Sequence, residues 1–471
     1  MPTPSRYLVT LKDAAKAVGK APHNVRDYIQ RGRLSKYDAR GRPIARARHR
    51  ELRVDLEELI AVIWRAEMGL VKHQQPGLRP ELAFFGVPER ERTKHVHRLH
   101  PYLGKFIPQL VEWFLGHYFV PGEVILDPFM GSGTTLVQAN EMRMPAVGID
   151  IAEFNCAIAR AKTAVYDLDV LRREVMDAEQ RTRRFSARVA STAPAGALPR
   201  PRRLTLESAI VALTALADWR SDYLREWYAP RALLEILFYH RRIASGRYRY
   251  PELLRVLLSR AARSSRLVPH HDLATPRAPL RPGVPYWCAK HRRACLPTDN
   301  AITKIHAYSA DTLRRLAAFA ACRSEAPITI HQGDARTIDL GELRVNGVFT
   351  SPPYVGQIDY HDQHVYAYEL FGLPRHDGAE IGRRAKGKSQ RARREYVEGI
   401  VAAFRNLRRF LAPDARVFVV ANDRYDLYPE IARRAGYVIV EDFKRAVTKR
   451  TGRSDGPYQE TIFRLRVVDE A

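Results

Sequence analysis

The stretch "GEVILDPFMGSGTTLVQANEMRMPAVGIDI", residues 122–151, decides the fold class. An apolar run ends on Asp127, a turn with two glycines follows, a helical pattern comes next, and a second apolar run ends on Asp150. This order predicts a βαβ unit, in which a helix crosses between two parallel strands. Because the carboxyl ends of parallel strands meet at one edge of a sheet, we expect the glycine turn and Asp150 to lie close together.

The rest of the chain extends this pattern. Further strand-like runs are "ITIHQ" (328–332), "VNGVFT" (345–350), "ARVFVVA" (415–421), "GYVIVEDFKRAV" (436–447) and "YQETIFRLRVV" (458–468). They predict a doubly wound, Rossmann-like α/β sheet that ends in an antiparallel hairpin. Residues 183–205 are rich in Ala, Pro and Arg and predict a linker. Around it, between about residues 170 and 325, the strand pattern stops and helices are expected, so we predict a helical insertion in the α/β domain.

Composition limits the functional classes. The 471 residues include 78 Lys and Arg against 52 Asp and Glu, a net charge of +26, which favours a polyanionic partner such as nucleic acid. No apolar run reaches the length of a membrane span, and the N-terminal residues lack the apolar core of a signal peptide. Four cysteines make no disulfide framework. We therefore expect a soluble, cytoplasmic protein associated with the nucleoid.

The glycine turn "DPFMGSGTT" is compatible with three kinds of ligand site. A phosphate-binding P-loop requires a lysine where Thr134 stands, and a dinucleotide site requires a third glycine that is missing. The third kind uses Asp127 to meet an amine and Asp150 to bridge ribose hydroxyls, while the glycines let the backbone approach the ligand. S-adenosylmethionine fits that description.

A second motif follows the strand at 345–350, in "NGVFTSPPYVGQIDY", residues 346–360. Proline has no N–H donor and a fixed φ, so Pro352 and Pro353 must end the strand. The result is a stiff loop that holds Ser351 and Tyr354 in a fixed relation. A rigid turn and a preorganised catalytic loop are both compatible with this pattern.

Together, "DPFMGSGTT" and "TSPPY" resemble the amino-group DNA methyltransferases, and the serine form of the proline loop is similar to the cytosine-N4 members. The segment "HRLHPYLGKFIPQLVEWFL", residues 97–115, resembles the family segment that completes the cofactor pocket, with Pro108 among the matching residues. The resemblance implies an S-adenosylmethionine-dependent methyltransferase fold. The cofactor-binding residues that the two motifs and the resemblance together predict are Lys105, Phe106, Asp127, Pro128, Phe129, Gly131, Gly133, Thr134, Asp150 and Asp334. The implied catalytic residues are Ser351, Pro352, Pro353 and Tyr354.

The family's chemistry gives the proline loop its role. Ser351 Oγ and the Pro352 carbonyl accept hydrogen bonds from the cytosine amino group, and Tyr354 stacks on the flipped base. Asp359, Tyr360 and His361 are candidates to line the base pocket. Adenine-N6 methylation uses the same loop, generally with Asp or Asn where Ser351 stands, and it stays open, as do RNA or protein-glutamine methylation and a DNA-binding regulator with a vestigial methyltransferase fold.

The expected organisation has four ranges. They are a DNA-binding module (1–70), the first part of the methyltransferase domain (71–170), a helical insertion that acts as target-recognition domain (171–325) and the second part of the methyltransferase domain (326–471). Residues 7–65 resemble the winged helix-turn-helix of excisionase and MerR-type proteins, which implies duplex DNA as a partner. A cognate restriction endonuclease is a further possible partner, and the oligomeric state is not predicted.

The predicted DNA contacts are basic or polar side chains in two regions. The N-terminal candidates are Asn24, Arg26, Arg31, Arg46 and Arg48. In the insertion, Arg260, Arg263 and Arg266 recur at three-residue intervals and would share one helix face. The basic loop "GRRAKGKSQRARREY", residues 382–396, is expected near DNA, where it would raise the salt sensitivity of binding.

One cluster of metal-ligand types stands in "YWCAKHRRACLPT", residues 286–298. Cys288, His291 and Cys295 would need His270 or His271 as a fourth zinc ligand, and their spacing fits no standard finger. We interpret these cysteines as small buried residues in a compact turn, and no metal is predicted.

Overall fold

The computed structural model describes residues 8–18, 21–38, 41–44, 52–68, 78–84, 87, 91, 93–191, 221–273, 276–447 and 458–468. Across those ranges, no helix has the length and apolarity needed to span a membrane. The chain forms two compact units. The first comprises residues 1–94, 107–113 and 416–471, and the second comprises residues 95–106 and 114–415.

The N-terminal part of the first unit is a small helical module. Its elements are β1 (Leu8–Thr10), α1 (Leu11–Ala17), α2 (Pro22–Gln30), β2 (Arg53–Asp55) and α3 (Leu56–Met68). Strands β1 and β2 pair antiparallel, and the helices bury one shared apolar cluster. Thr10 caps α1 as predicted, because its hydroxyl accepts a bond from the Asp13 N–H at 3.1 Å. The helices are present, whereas their function as a winged helix-turn-helix stays a prediction.

The sheet of the second unit begins with the predicted βαβ unit. The helix α4 (Pro108–Tyr118) precedes it. The unit consists of β3 (Ile125–Asp127), α5 (Thr134–Glu141) and β4 (Ala146–Asp150), and α6 (Glu153–Thr163) follows. Strands β3 and β4 run parallel, with Ile125 opposite Ala146. The prediction that the second strand ends on Asp150 is confirmed.

The insertion that follows is mostly helical. Its elements are α7 (Leu168–Ser191), α8 (Asp222–Trp227), α9 (Pro230–Ala244), α10 (Pro251–Ser265), β5 (Tyr286–Cys288), β6 (Arg293–Cys295) and α11 (Ile302–Ala320). The predicted linker at 183–205 starts too early, because α7 continues to Ser191, and residues 192–205 lie outside the described residues. The hairpin of β5 and β6 was not predicted either.

The sheet resumes after the insertion. The elements are β7 (Ile328–Gln332), β8 (Val345–Thr350), α12 (Tyr360–Gln363), α13 (Val365–Phe371) and α14 (Gln390–Leu407). Strand β7 pairs parallel with β4, and β8 pairs parallel with β3, so the order in this unit is β8, β3, β4, β7. Strand β8 ends at Thr350, directly before the proline loop, as predicted.

The C-terminal elements complete the α/β fold. They are β9 (Leu411–Ala421), α15 (Tyr428–Ala435), β10 (Tyr437–Val447) and β11 (Tyr458–Val467). In the first unit, β11 pairs antiparallel with β10 and with the end of β9. The predicted α/β class and the closing antiparallel hairpin are therefore confirmed.

Candidate active site

A cavity opens at the carboxyl ends of the four parallel strands. Asp127, Asp150, Asp334 and Ser351 stand at or just after the ends of β3, β4, β7 and β8, and all four line it. The predicted cofactor residues in the lining are Lys105, Phe106, Asp127, Pro128, Phe129, Gly131, Thr134, Asp150 and Asp334. Nine of the ten predicted cofactor positions therefore share one cavity.

The two glycines of the turn have different surroundings. Both adopt positive φ, +49° for Gly131 and +74° for Gly133. A Cβ on Gly131 would lie 2.8 Å from the Tyr102 hydroxyl, which borders the cavity, whereas a Cβ on Gly133 would lie 3.0 Å from Ala159 of α6. Gly133 is not part of the cavity lining, so its place in the structure is to let the turn pack on α6.

Asp127 is the buried link between the two motifs. Its carboxylate accepts bonds from the Thr135 hydroxyl at 2.7 Å, the Thr350 hydroxyl at 2.7 Å and the Phe129 N–H at 3.1 Å. Burial raises the pKa of Asp127 to about 6, and these hydrogen bonds oppose that rise. A carboxylate has about four acceptor positions, so little capacity remains for the ligand amine that the sequence predicted.

Asp150 holds the glycine turn from the end of the neighbouring strand. It accepts bonds from the N–H groups of Gly131 at 2.9 Å and Ala152 at 2.8 Å, and from the Asn155 amide at 3.0 Å. Burial raises the pKa of Asp150 to about 7, again against those hydrogen bonds. Its position at the cavity wall is compatible with the predicted contact to ribose hydroxyls.

Two polar atoms of the lining residues test whether the cavity fits a polar cofactor. Ser132 Oγ and Asn155 Oδ1 are buried and have no hydrogen-bond partner among the described residues. Buried polar atoms are nearly always satisfied, so these two are suited to bonds with a bound ligand. With the carboxylate of Asp150 they make a set of hydrogen-bonding groups that fits S-adenosylmethionine.

Lys162 is a site residue that the sequence analysis missed. Its side chain is fully buried on α6 and donates to the Ser132 carbonyl at 2.6 Å, so it holds the glycine turn from behind. Burial, helped by nearby Lys105, lowers the pKa of Lys162 well below the usual value. The residue follows "DPFMGSGTT" by almost thirty positions in a helix of ordinary pattern, and no sequence signal marked it.

Lys105 and Phe106 complete the cavity from the segment before α4. The Lys105 ammonium donates to the His97 carbonyl at 2.6 Å, and burial lowers its pKa to about 8. Phe106 meets Phe349 of β8 edge to face, with 5.4 Å between ring centroids. Both residues line the cavity, and their placement agrees with the segment that the resemblance singled out.

Asp334 lies at the cavity wall with a cation beside it. Both of its carboxylate oxygens accept from Arg336 Nε at 2.9 Å, and Arg336 in turn donates to the Ala379 carbonyl at 3.0 Å. The residue opens a short turn, and its contact with the cofactor stays a prediction.

The proline loop presents a serine to the cavity. Ser351 and Pro353 line it, while Pro352 is buried and Tyr354 lies beside the loop outside the lining. Ser351 Oγ is 3.5 Å from the Tyr354 hydroxyl. The loop therefore brings the predicted catalytic residues together at one end of β8.

A buried pair, Glu380 and His361, supports another part of the cavity wall. Glu380 accepts bonds from the backbone N–H groups of Tyr360 at 3.1 Å and His361 at 2.8 Å, and it is paired with the His361 imidazole. His361 Nε2 accepts from the His376 N–H at 3.1 Å. Tyr360 and Glu380 line the cavity, with Tyr360 stacked on Tyr102 at 6.0 Å between ring centroids. The sequence had suggested Tyr360 and His361 but not Glu380.

The predicted arginine face of the insertion is wrong. Arg260 is ion-paired with Asp311 at 2.8 Å and lies over the Tyr308 ring, inside the insertion. Arg266 is only 3% exposed, follows the end of α10 and donates to the Leu273 carbonyl at 2.7 Å. Arg263 is half-buried between them. The shared spacing reflects packing inside the helical insertion, not an exposed phosphate-binding surface.

The N-terminal candidates have mixed outcomes. Arg31 is exposed at the end of α2 and forms an ion pair with Asp27 at 2.9 Å. Arg26 is half-buried on the same helix. Arg46, Arg48 and the side chain of Asn24 lie outside the described residues. DNA contact by this module stays a prediction.

Comparisons with known proteins extend these observations. A family profile of N6/N4-type DNA methylases matches residues 39–161. The chain is 36% identical to Type II methyltransferase M.MjaII of Methanocaldococcus jannaschii over 537 aligned positions, which cover 99% of this chain and 98% of the relative. It is 33% identical to Type II methyltransferase M.MvaI of Kocuria varians over 108 residues, 22% of this chain and 23% of that one.

Solved structures give much weaker likenesses. TrmN from Thermus thermophilus superposes with a TM-score of 0.29 at 12% identity, covering 81% of this chain and 55% of that one. The rRNA methyltransferase AviRa from Streptomyces viridochromogenes gives 0.27 at 13% identity, covering 85% and 91%. Scores this low add nothing to the argument from the fold itself.

The fold and the cavity define an S-adenosylmethionine-dependent methyltransferase. The full-length similarity places the chain more narrowly: it belongs to the amino-group DNA methylase family, whose members modify adenine N6 or cytosine N4. S-adenosylmethionine is its methyl donor, and DNA is its substrate.

Proposed function

We propose that this enzyme methylates the N4 atom of cytosine in a defined site of duplex DNA. The observation that carries the proposal is Ser351, which stands at the cavity wall directly after β8 and begins a loop of two prolines. When bound, S-adenosylmethionine supplies a methyl group attached to a sulfonium sulfur, and that sulfur is an excellent leaving group. The residues of the loop have to prepare the nucleophile.

The nucleophile is weak because the lone pair of an exocyclic amino group is delocalised into the base. Two acceptors that bind both N–H groups shift that nitrogen toward tetrahedral geometry and aim its lone pair at the methyl group. Ser351 Oγ and the Pro352 carbonyl are those acceptors in our proposal. Preorganisation is essential here, because acceptors that had to reorganise during the reaction would lose much of their effect.

The loop is anchored in a way that supports this role. Thr350, the residue before Ser351, is fixed to buried Asp127, and two prolines limit the backbone beyond Ser351. Tyr354, next to Ser351, would stack on the target base after it leaves the duplex, since chemistry on a paired base requires flipping. Tyr360 at the cavity wall would complete the base pocket.

Adenine N6 is the alternative target, because the same loop geometry suits both amino groups. The serine in the first position of the loop favours cytosine, as family members that act on adenine generally carry Asp or Asn there. Detection of the methylated base separates the two directly.

The biological setting we propose is restriction–modification. The two relatives carry the name Type II methyltransferase, and such an enzyme would protect host DNA from a cognate endonuclease. A regulator with a vestigial fold is disfavoured, because the residues that chemistry needs are intact. Deletion of residues 1–65 distinguishes the enzyme from the regulator. An enzyme retains some methylation of DNA, whereas a pure regulator loses its specific contact with DNA.

The test is single-turnover methylation by Ser351→Ala, with S-adenosylmethionine affinity measured in parallel by calorimetry. Loss of one preorganised acceptor should slow methyl transfer about 10²–10³-fold while cofactor affinity changes less than about twofold. Ser245→Ala, which alters an exposed serine at the end of α9, is the control. A wild-type rate for Ser351→Ala would refute the acceptor role.

A further inference from the structure

Four side chains of the insertion converge on one point. The ligand atoms of His270, Cys288, His291 and Cys295 all lie within 4.8 Å of one another. Individual separations are 4.0 Å from Cys288 Sγ to His270 Nδ1, 3.6 Å from Cys288 Sγ to His291 Nδ1, and 3.4 Å from His291 Nδ1 to Cys295 Sγ. Two thiols and two imidazoles around one centre are the donor set of a Cys₂His₂ site.

The hairpin of β5 and β6 creates this arrangement. Tyr286 pairs with Cys295, and Cys288 stands two residues beyond Tyr286, so the two thiols share one face of the hairpin. The turn between the strands closes with a bond from the Arg292 N–H to the Cys288 carbonyl at 2.8 Å, and it carries His291 over the same face.

His270 comes from a separate segment, after α10. Its backbone N–H donates to the Tyr286 hydroxyl at 3.0 Å, which fixes the segment against the hairpin. The imidazole rings of His270 and His291 lie 5.1 Å apart between centroids, with their Nδ1 atoms turned toward Cys288. His270 is therefore the histidine of this segment whose ligand atom joins the cluster.

The separations match a tetrahedral ion. With Zn–S of about 2.3 Å and Zn–N of about 2.05 Å, tetrahedral angles put sulfur and nitrogen ligands about 3.6 Å apart. The observed values of 3.4, 3.6 and 4.0 Å bracket that distance. Hydrogen bonding alone does not require all four groups to meet at one centre.

Among the described residues, the hairpin also has little apolar packing that would hold it without a metal. Its large apolar side chains point to solvent: Trp287 is 68% exposed, Leu296 is 59% exposed and Val284 is 51% exposed. A two-stranded hairpin without packing is marginally stable in water, and small structures of this kind commonly rely on a metal or disulfide.

We propose that His270, Cys288, His291 and Cys295 bind one zinc ion that fastens the β5–β6 hairpin to the segment after α10. All four ligands come from the protein, as in a closed structural site, and none lines the cofactor cavity. The site replaces our sequence interpretation, which took the cysteines for packing residues because their spacing matched no standard finger. The sequence offered His270 or His271 as a fourth ligand, and the fold brings His270 into the cluster.

The experiment measures zinc per chain in the full-length protein, purified without chelators, by native mass spectrometry and elemental analysis. We expect a value close to one. Cys288→Ser and Cys295→Ser should lose the metal, whereas Cys322→Ser should keep it, because Cys322 lies outside the cluster. Cobalt(II) substitution of the wild-type chain, which does not depend on the variants folding, should produce the absorption bands of tetrahedral thiolate coordination.

Three results would overturn the proposal. The first is a wild-type chain that neither contains zinc nor develops thiolate–cobalt bands. The second is a Cys288–Cys295 disulfide in freshly prepared protein, detected by non-reducing peptide mapping. The third is zinc that survives Cys288→Ser but disappears in Glu141→Gln, since His95, His97 and Glu141 also bring their ligand atoms together and would then hold the metal.

Discussion

Thr350 donates a hydrogen bond from its hydroxyl to the Asp127 carboxylate at 2.7 Å. The bond joins the strand that leads into the proline loop to the strand that leads into the glycine turn. Asp127 and Thr350 are 223 positions apart in the chain, yet both side chains are buried, and Asp127 lines the cavity. The cofactor loop and the catalytic loop therefore share a support, and disturbing it should affect both.

Thr350→Val tests this link, because valine keeps the shape and removes the hydroxyl. Leaving the buried carboxylate one bond short costs about 1–3 kcal/mol, so we expect both weaker S-adenosylmethionine binding and slower methyl transfer. Calorimetry and single-turnover kinetics provide the two readouts. The control is Thr329→Val, which alters an exposed residue of β7. If Thr350→Val changes neither cofactor binding nor methyl transfer, the two loops are supported independently.

Cofactor affinity should depend on pH through Asp150. Burial raises its pKa to about 7, so the free enzyme holds this carboxyl largely protonated at pH 6 and ionised at pH 8. Ribose hydroxyls donate to the ionised form, and affinity should therefore increase as pH rises through 7, by up to about tenfold per pH unit below the pKa.

Asp150→Asn is the matching variant for that pH profile. It should bind S-adenosylmethionine more weakly at pH 8 and lose most of the dependence, because amide and carboxyl have similar size but only the latter titrates. Calorimetry between pH 6 and 8.5 gives both profiles. If affinity depends on pH equally in wild type and variant, the group that titrates is not Asp150 but another one, such as Asp127, whose pKa is about 6.

Lys162→Met should separate stability from cofactor binding. Burial lowers the pKa of Lys162 in the folded state, so the unfolded chain binds the extra proton and this residue costs stability at neutral pH. Methionine should thus raise the free energy of unfolding at pH 7, and the gain should shrink as pH rises toward 10. Loss of the bond to the Ser132 carbonyl should weaken S-adenosylmethionine binding.

Denaturant unfolding at pH 7 and 9, with cofactor titration, measures the two effects. Lys304→Met on α11, where the lysine is not fully buried, is the control and should change neither. A Lys162→Met protein that is less stable at pH 7 would mean that the amine stabilises the fold more than its burial costs.

The arginines of the insertion and of the basic loop should respond differently to the same change. Arg266→Gln removes buried hydrogen bonds and should lower the melting temperature without altering the salt dependence of DNA binding. Arg384→Gln, in the exposed basic loop, should leave the melting temperature unchanged and reduce the salt slope by about one. The reverse pattern would restore the arginine face that the sequence suggested.

Local sequence was enough to predict the floor of the site. The βαβ unit, the end of β4 at Asp150 and the end of β8 before Ser351 follow from apolar runs, glycines and prolines, which act within a few residues. Of the nine cofactor positions in the cavity lining, Lys105, Phe106 and Asp334 lie outside these motifs, whereas the other six belong to the βαβ unit. Their side chains meet because parallel strands place their carboxyl ends along one edge.

The missed features depend on long-range packing. Lys162 reaches the glycine turn only because α6 packs behind it, and Glu380 reaches the backbone of α12 from a turn twenty residues later. The three-residue spacing of Arg260, Arg263 and Arg266 does not predict whether these side chains meet solvent or core, and Arg266 lies just after the end of α10. Periodicity contains no information about which face a neighbouring helix will cover.

The most direct test of the account is nucleoside mass spectrometry of DNA from cells that express the protein, beside cells that express Ser351→Ala. Our proposal predicts N4-methylcytosine in the first sample and a strongly reduced amount in the second. N6-methyladenine instead would preserve the fold, the family and the cofactor but contradict the role assigned to Ser351. If neither modified base is found with DNA from several sources as substrate, that result would contradict the proposed reaction itself.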